Sequence, residues 1–433
     1  MKINLIRCSW LAACIIVSWG ENASGQSQFL KTPLKVSISY ESIPELVLEM
    51  NPEIRAATWS IREAESRMEQ SGRLQNPKFI TSYNNNENTP ERTTGVGFLQ
   101  AFPVTSRLRL EKSVSKNKIE EAKSEVQVAA RTMIESALTT TVQWIGNQQR
   151  QSILKDQIRL ATELATFLSE QSTKGEVSSL DAMQASLEAE ERQLDLHPLI
   201  FEQKKLESKL RIALGLEPTT ELQIREDLPD AKLPKAKTIL LEKRPDYRLL
   251  QKQFITTQET IKLARANRFS DVSLQLMHLW NDEEDIPIGI EKERNAAIQL
   301  SIPLPLWNRN QGRISELNDR LKRLENSIQA LEIKISNHSD AAYTGMVEQL
   351  AIYRQIKEQS LPKRLEYQKA LETSYKEGLS SFDLMLRARH QILKLELARS
   401  KALTSFHIHL VQYQSETGNL SIFHESTQPH STF

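Results

Sequence analysis

Seven apolar residues, Ile314, Leu317, Leu321, Leu324, Ile328, Leu331 and Ile335, recur at gaps that alternate three and four without a slip. That spacing is the a/d seam of a coiled coil, a narrow apolar line that needs a partner helix to cover it. Glu316, Asp319, Arg320, Lys322, Arg323 and Glu325 fill the solvated faces between. No proline interrupts the chain from Asn310 to Leu361, so the pattern predicts one helix of roughly 75 Å. Such a rod does not fit inside a compact core. The rest of the chain must be arranged alongside it.

Bulk properties narrow the classes. A formal net charge of +1 over 433 residues offers no field for nucleic acid. Beyond residue 20 no apolar run approaches the ~18 residues of a spanning helix. The sequence holds no Gly-rich phosphate loop, no paired-cysteine zinc site and no nucleophile elbow. The expectation is a protein that is not an enzyme and carries no cofactor and no metal site.

Residues 1–25 read as a signal peptide: Lys2 and Arg7 at the start, an apolar Leu11 to Trp19, and Ala23-Ser24-Gly25 before a cut ahead of Gln26. The rival is a lipoprotein box, Leu11-Ala12-Ala13-Cys14, which would make Cys14 an acylated first residue. Both cysteines, Cys8 and Cys14, fall in this segment, so the first reading leaves no disulfide.

The remainder reads as two copies of one unit. An extended segment, 26–42, precedes the first copy, 43–216. A helical pattern runs from Ile43 to about Gln75, with Asn51-Pro52 near its first turns. Two extended runs follow, Phe79 to Tyr83 and Val96 to Phe102, around a polar loop. A helix of about 68 residues from Ser106 to Thr173, a turn at Lys174 to Ser179, and a helix from Leu180 to Leu214 complete the copy. Pro198 is expected to kink that last helix. Residues 217–234, with Pro218, Pro229 and Pro234, read as a linker. The second copy, 235–418, repeats the order: a helix from Arg244-Pro245, alternating runs at Val272 to Leu276 and Ile298 to Ile302, the seam helix, a turn at Glu377 to Ser381, and a helix ending at Gly418. Pro362 should kink the seam helix late in its course. Residues 419–433 read as a disordered tail.

Lengths add a geometric expectation. The two shorter helices of a copy, laid end to end, match the long one, near 100 Å. The strands then emerge at the end opposite the glycine turns. Four strands of about 7 to 10 residues can cross a tilted outer membrane. They cannot close a barrel alone, since the smallest membrane barrels have about eight; three chains would supply twelve.

This organisation resembles the TolC family of outer-membrane efflux proteins over nearly all of residues 40 to 418. Asn51-Pro52-Glu53-Ile54-Arg55-Ala56-Ala57 followed by Asn76-Pro77 is similar to its N-terminal signature, and Tyr375-Lys376-Glu377-Gly378 to its hairpin-tip signature. Leu304-Pro305-Leu306-Trp307-Asn308-Arg309-Asn310-Gln311-Gly312 is similar to the segment after the last strand in outer-membrane components of heavy-metal (cobalt–zinc–cadmium type) efflux systems. The resemblance implies a mainly α fold of long antiparallel hairpins with a small β part, a homotrimer whose four strands per chain complete a 12-stranded barrel in outer-membrane lipid, and a periplasmic helical tunnel. It implies two protein partners, a periplasmic adaptor and an inner-membrane pump of the resistance-nodulation-division type, with heavy-metal cations as cargo. Drug or organic-solute efflux by the same architecture, and a periplasmic coiled-coil scaffold without a pore, stay open as alternatives.

In this picture the entrance constriction and adaptor contact fall on Gly175, Ser178, Ser179 and Asp181 in the first hairpin tip, and on Gly378, Ser380, Ser381, Asp383 and Arg387 in the second. Glycine suits a tight helix reversal. Serine caps the returning helix, and an aspartate in its first turn meets the positive end of the helix dipole. Three such tips would ring the mouth with carboxylates, favouring cations. The second tip departs from the family: its usual acidic positions fall at Leu384 and Arg387, which leaves Asp383 about 100° off and free to pair with Arg387. His407 and His409 do not share a helix face, and His424 and His430 lie in the tail at spacings unlike a zinc helix. His338 falls in line with the seam.

Overall fold

The computed structural model describes residues 35–87, 89–224, 226–235, 239–285 and 287–420. The expected signal peptide, Cys14, and residues 421–433 of the expected tail, with their histidines, lie outside these. In chain order the elements are β1 (Lys35–Ile38), α1 (Ile43–Met50), α2 (Pro52–Gln70), β2 (Lys78–Asn85), β3 (Arg92–Phe102), α3 (Arg107–Thr173), α4 (Ser179–Leu214), β4 (Glu221–Ile224), α5 (Pro245–Ala266), β5 (Val272–Asp285), β6 (Gly289–Ser301), α6 (Gln311–Arg354), a π-helical segment (Gln355–Ser360), α7 (Leu361–Lys376) and α8 (Phe382–Glu416).

The helices form two stacked columns. Against α3 lie α2 and α4, joined end to end where the Asn51 side chain donates from Nδ2 to the carbonyl of Ala213 at 2.7 Å. Against α6 and α7 lie α5 and α8, joined where Arg244 donates to the carbonyl of Glu416 at 2.7 Å and to its carboxylate at 2.6 Å. At the first junction the αL backbone of Gly215 (φ 65°) brings it so close that a Cβ would lie 2.5 Å from Pro52 Cδ. The largest core surrounds these junctions and includes Ile134, Leu210, Met346 and Phe406, none with measurable exposure. Burial of such side chains stabilises by roughly 1.5–3 kcal/mol each. Smaller clusters occupy the hairpin-tip end (Leu168, Ala185, Phe382, Met385, Leu386) and the sheet end (Ile261, Ala264, Ile314, Leu317).

Several expectations need correction. The helix read from Ile43 to Gln75 is two helices. Pro52 disfavours helical backbone at the residue before it, and Asn51 (ψ 120°) turns extended there, its Oδ1 accepting from the N–H of Glu53 at 2.8 Å and of Ile54 at 3.2 Å. The second of the two stops at Gln70, because Gly72 takes φ 64° against the carbonyl of Leu108. The stretch read as a linker contains β4, which pairs in parallel with β1 (Val36 opposite Leu222, Ile38 opposite Ile224). The strands are longer than their apolar alternation, because charged rows extend the ladder: Arg92 Nε donates to Asp282 at 2.5 Å on the neighbouring strand. The chain around Pro362 stays helical. The extra residue of the π segment just upstream takes up the missing N–H and the ring's steric demand.

The larger sheet has the order β2-β3-β5-β6, antiparallel throughout, with β2 and β6 as open edges. Every chain entry to and exit from it by helix is at one end, so the β2–β3 and β5–β6 turns point away from the helices.

Candidate functional site

The first tip is built by backbone geometry. Gly175 sits at φ 76° and Gly378 at φ 74°, with nothing within 4 Å of a notional Cβ. The glycines are there for the left-handed turn rather than for a close approach. Each reversal closes with the same bond across six residues, Glu176 N–H to Gln171 carbonyl at 3.0 Å and Leu379 N–H to Ser374 carbonyl at 2.8 Å. Ser178 then caps α4, its Oγ accepting from Leu180 N–H at 3.2 Å, and Ser381 caps α8 through Leu384 N–H at 3.4 Å. Ser179 opens α4 as a helical residue. Ser380 does not cap; its Oγ is buried without a partner.

The two tips meet. Val177 and Ala182 of one pack with Tyr375 and Phe382 of the other, the two rings 5.9 Å apart at the centroids. Burial raises the Tyr375 phenol above its ordinary pKa, and the nearby Asp181 carboxylate adds to the rise. Asp383 instead forms an ion pair with Arg387 at 2.8 Å, one turn on along α8. The carboxylates of the two tips therefore differ: Asp181 lies beside a phenol, and Asp383 is paired, at an exposed position, within its own helix.

Just above the tips the hairpins enclose a polar cavity of about 330 Å³ lined by Gln157, Glu188, Arg192, Glu372, Arg389 and Glu396 among apolar neighbours. Arg192, nearly buried, pairs with Glu188 on its own helix and reaches His390 Nδ1 on α8 at 2.6 Å. Arg389 pairs with Glu372 at 3.1 Å. Burial pushes the Glu372 carboxyl up, but hydrogen bonds from Gln368 and Arg389 outweigh it and hold the group below its usual range. Glu396 is raised by burial. No periodicity in one sequence could have paired Arg192 with His390: they are 198 positions apart, and only the fold makes them neighbours.

His407, His409 and His338 have structural partners. His407 Nε2 donates to the carbonyl of Pro229 at 2.8 Å, and burial lowers its pKa. His409 Nδ1 contacts Gln412, and His338 approaches Glu416 at 3.7 Å. Among the described residues no three His, Cys, Asp or Glu converge to hold a metal ion. The segment Leu304 to Gly312 folds as a self-bonded turn. Asn310 takes φ 58° and donates from Nδ2 to the Ala264 carbonyl at 2.8 Å, Asn308 Oδ1 accepts from Asn310 N–H at 3.0 Å, and Gln311 Oε1 accepts from Arg309 N–H at 2.8 Å. Its polar atoms hold the entry to α6 while Trp307 stands exposed.

The sheet presents two unlike faces. Across the ladder Phe79, Phe98, Leu276 and Ile298 form one row, with Phe79 and Phe98 rings 5.5 Å apart. Leu274 and Leu300 form the next row towards the helices, and Tyr83 and Trp280 lie two rows away from it on the far side. The opposite face carries Ser82, Asn84, Thr93, Gln275, Asn281, Asn295 and Gln299. There Gly95 and Gly97 leave room for the side chains of Met277 and Leu279 to fold over the backbone. Among the described residues no helix is long and apolar enough to cross a membrane.

No protein-family model matches the sequence, and no curated protein matches it. Solved structures do match in fold. The outer-membrane channel OprN superposes with a TM-score of 0.72 at 17% identity, over 88% of this chain and 90% of that one. The outer membrane protein VceC of the bacterial pathogen Vibrio cholerae gives 0.71 at 14% identity, over 88% and 96%. CusC, described for its folding and transmembrane channel formation, gives 0.66 at 16% identity, over 90% and 95%. The chain thus has the fold of outer-membrane channel proteins: long helical hairpins carrying a small antiparallel sheet at one end.

Proposed function

We propose that this chain is the outer-membrane duct of a tripartite efflux system, a passive exit path through which an inner-membrane pump, coupled by a periplasmic adaptor, expels its cargo. The observation that carries the reading is the four-stranded sheet with one apolar face and two open edges. Exposed amides at a sheet edge are intolerable in hydrocarbon, and β6 of one copy can pair with β2 of the next. Three copies close a barrel of twelve strands, within the range of known membrane barrels. The apolar face turns to lipid, and the face with Gln275, Asn281, Asn295 and Gln299 lines the water-filled bore. At the other end the paired tips, Gly175 to Asp181 and Gly378 to Arg387, constrict the entrance and receive the adaptor.

The cargo we propose is heavy-metal cations, supported by the likeness of Leu304 to Gly312 to the corresponding segment of metal efflux components. A second reading, organic solutes, is favoured by the use that segment makes of its polar atoms: they are spent on the turn, not offered to a ligand. The purified full-length chain should require detergent, run as a trimer, and open a conducting path in planar bilayers. A monomer that stays soluble and never enters lipid overturns the duct. Loss of metal tolerance on deleting the gene, with tolerance to organic toxicants unchanged, would select the first cargo reading, and the reverse pattern the second.

A further inference from the structure

We propose that the rim of the sheet farthest from the helices is a binding site for phosphorylated lipids of the outer leaflet, gripped by Arg294 and Lys292 beside Trp280. The proposal rests on the duct reading, which fixes which rim faces outward: the helices occupy the periplasm, so the β2–β3 and β5–β6 turns lie at the outer surface.

The outward-facing rows change character in order along the ladder. Leu274 and Leu300 share a row with Gln100; the next row, Phe79, Phe98, Leu276 and Ile298, is wholly apolar, and Thr81, Val96, His278 and Ala296 follow. Four residues along each strand from the wholly apolar row, about 13 Å at the strand rise, Tyr83, Thr94, Trp280 and Arg294 share a row. Aromatic side chains of this kind settle at the headgroup level of a bilayer. One row beyond come Arg92, Asp282 and Lys292. Arg92 is committed to Asp282 at 2.5 Å. Arg294 and Lys292 have no ion pair or hydrogen bond among the described residues, and both are exposed. They lie two apart on one strand, on one face, about 7 Å from each other. Glu284, one row farther out on the same face, has no ion pair among the described residues.

Cations at midplane depth are costly in a barrel, but close to the interface the penalty falls to about 0–1 kcal/mol, so the aromatic row marks a depth where they are tolerated. What they meet there decides their role. Arginine forks match phosphate oxygens in pairs. The outer surface of the apolar band is where lipid headgroups end. The two cations stand on β6, an open edge that in the closed barrel adjoins the next copy's β2. Each trimer would therefore hold three such sites at its subunit seams.

The test uses full-length protein in detergent, with bis-phosphorylated lipid A as the probe and its dephosphorylated form as the control, read by native mass spectrometry. Wild type should retain up to three phosphorylated lipids per trimer and at least tenfold fewer of the dephosphorylated form. The pair Arg294→Gln with Lys292→Gln should lose that preference at least tenfold while trimer mass and conductance stay unchanged, and Arg294→Lys should restore most of it. Equal retention of both lipids, or an unaltered preference in the double variant, overturns the site and leaves the duct standing. A chain that never forms a membrane-inserted trimer overturns both.

Discussion

The two column junctions do the same mechanical task with different chemistry. In the first, a neutral amide serves: Asn51 caps α2 and reaches back to the end of α4. In the second, Arg244 does it with charge. Only 2% exposed, it contacts Asp246 at 2.6 Å and Glu416 at 2.6 Å and donates to the carbonyls of Ser415 and Glu416. Arg131 joins this network from α3, reaching Asp246 at 3.3 Å and the Ser415 carbonyl at 3.1 Å. Burial and the neighbouring Arg244 lower the Arg131 pKa, whereas Arg244, with carboxylates on two sides, is raised against its own burial. The difference teaches that end-to-end helix stacking needs only a donor aimed at an orphan carbonyl. A charged donor adds a second function: it ties α3, α5 and α8 together at one point.

Substitutions can break this comparison. The largest effect is expected at Arg244→Met, which leaves Asp246 and Glu416 with only the longer contacts of Arg131, at 3.3 and 3.9 Å. Removing one partner of a buried pair costs about 3–5 kcal/mol, measurable by chemical unfolding in detergent. Asn51→Ala removes a cap and the Ala213 bond and should cost about 1–2 kcal/mol; a loss as large as that at Arg244 would erase the distinction drawn above. A smaller effect depends on pH. His407 has a pKa lowered by burial, so protons favour the unfolded chain. Its contribution to stability is complete above about pH 6.5 and fades as pH falls through the lowered folded value. Thermal unfolding of the wild type should therefore weaken in mild acid more than that of His407→Gln.

The tips offer the gentlest contrasts. Gly175→Ala and Gly378→Ala each force a Cβ into left-handed backbone at a cost of about 1 kcal/mol, and equal losses would show that the turns are equivalent. Arg387→Ala breaks an exposed pair and should change stability by less than about 0.5 kcal/mol. It frees the Asp383 carboxylate, however, and should raise the cation preference of single-channel conductance. No change in selectivity would overturn the proposed place of Asp383 at the entrance.

Much of the fold was legible because long-range order here follows from local periodicity. The seam from Ile314 to Ile335, the glycine turns and the alternating strands are each written within a few turns of chain. What stayed hidden depended on contacts across sequence. β4 has four residues and exists by pairing with β1, 186 positions away. The Arg192–His390 contact and the Arg131–Arg244 network join helices whose neighbours no single sequence declares. The outer rows of the strands escaped notice because charged pairs such as Arg92–Asp282 replace the apolar alternation that marks a strand.

The π segment has a consequence for the far end of the molecule. Buried residues along the second long helix step by three or four through Ile335, Ser339, Ala342, Met346, Leu350, Tyr353 and Ile356, then by five to Leu361. One additional residue in a helix rotates everything beyond it by about 100°. The azimuth of the second tip, and with it the direction in which Asp383 and Arg387 point, is therefore set 23 to 32 positions upstream by a single count of residues. Deleting any one of residues 355–360 would keep the helix and turn its lower half to a different heading.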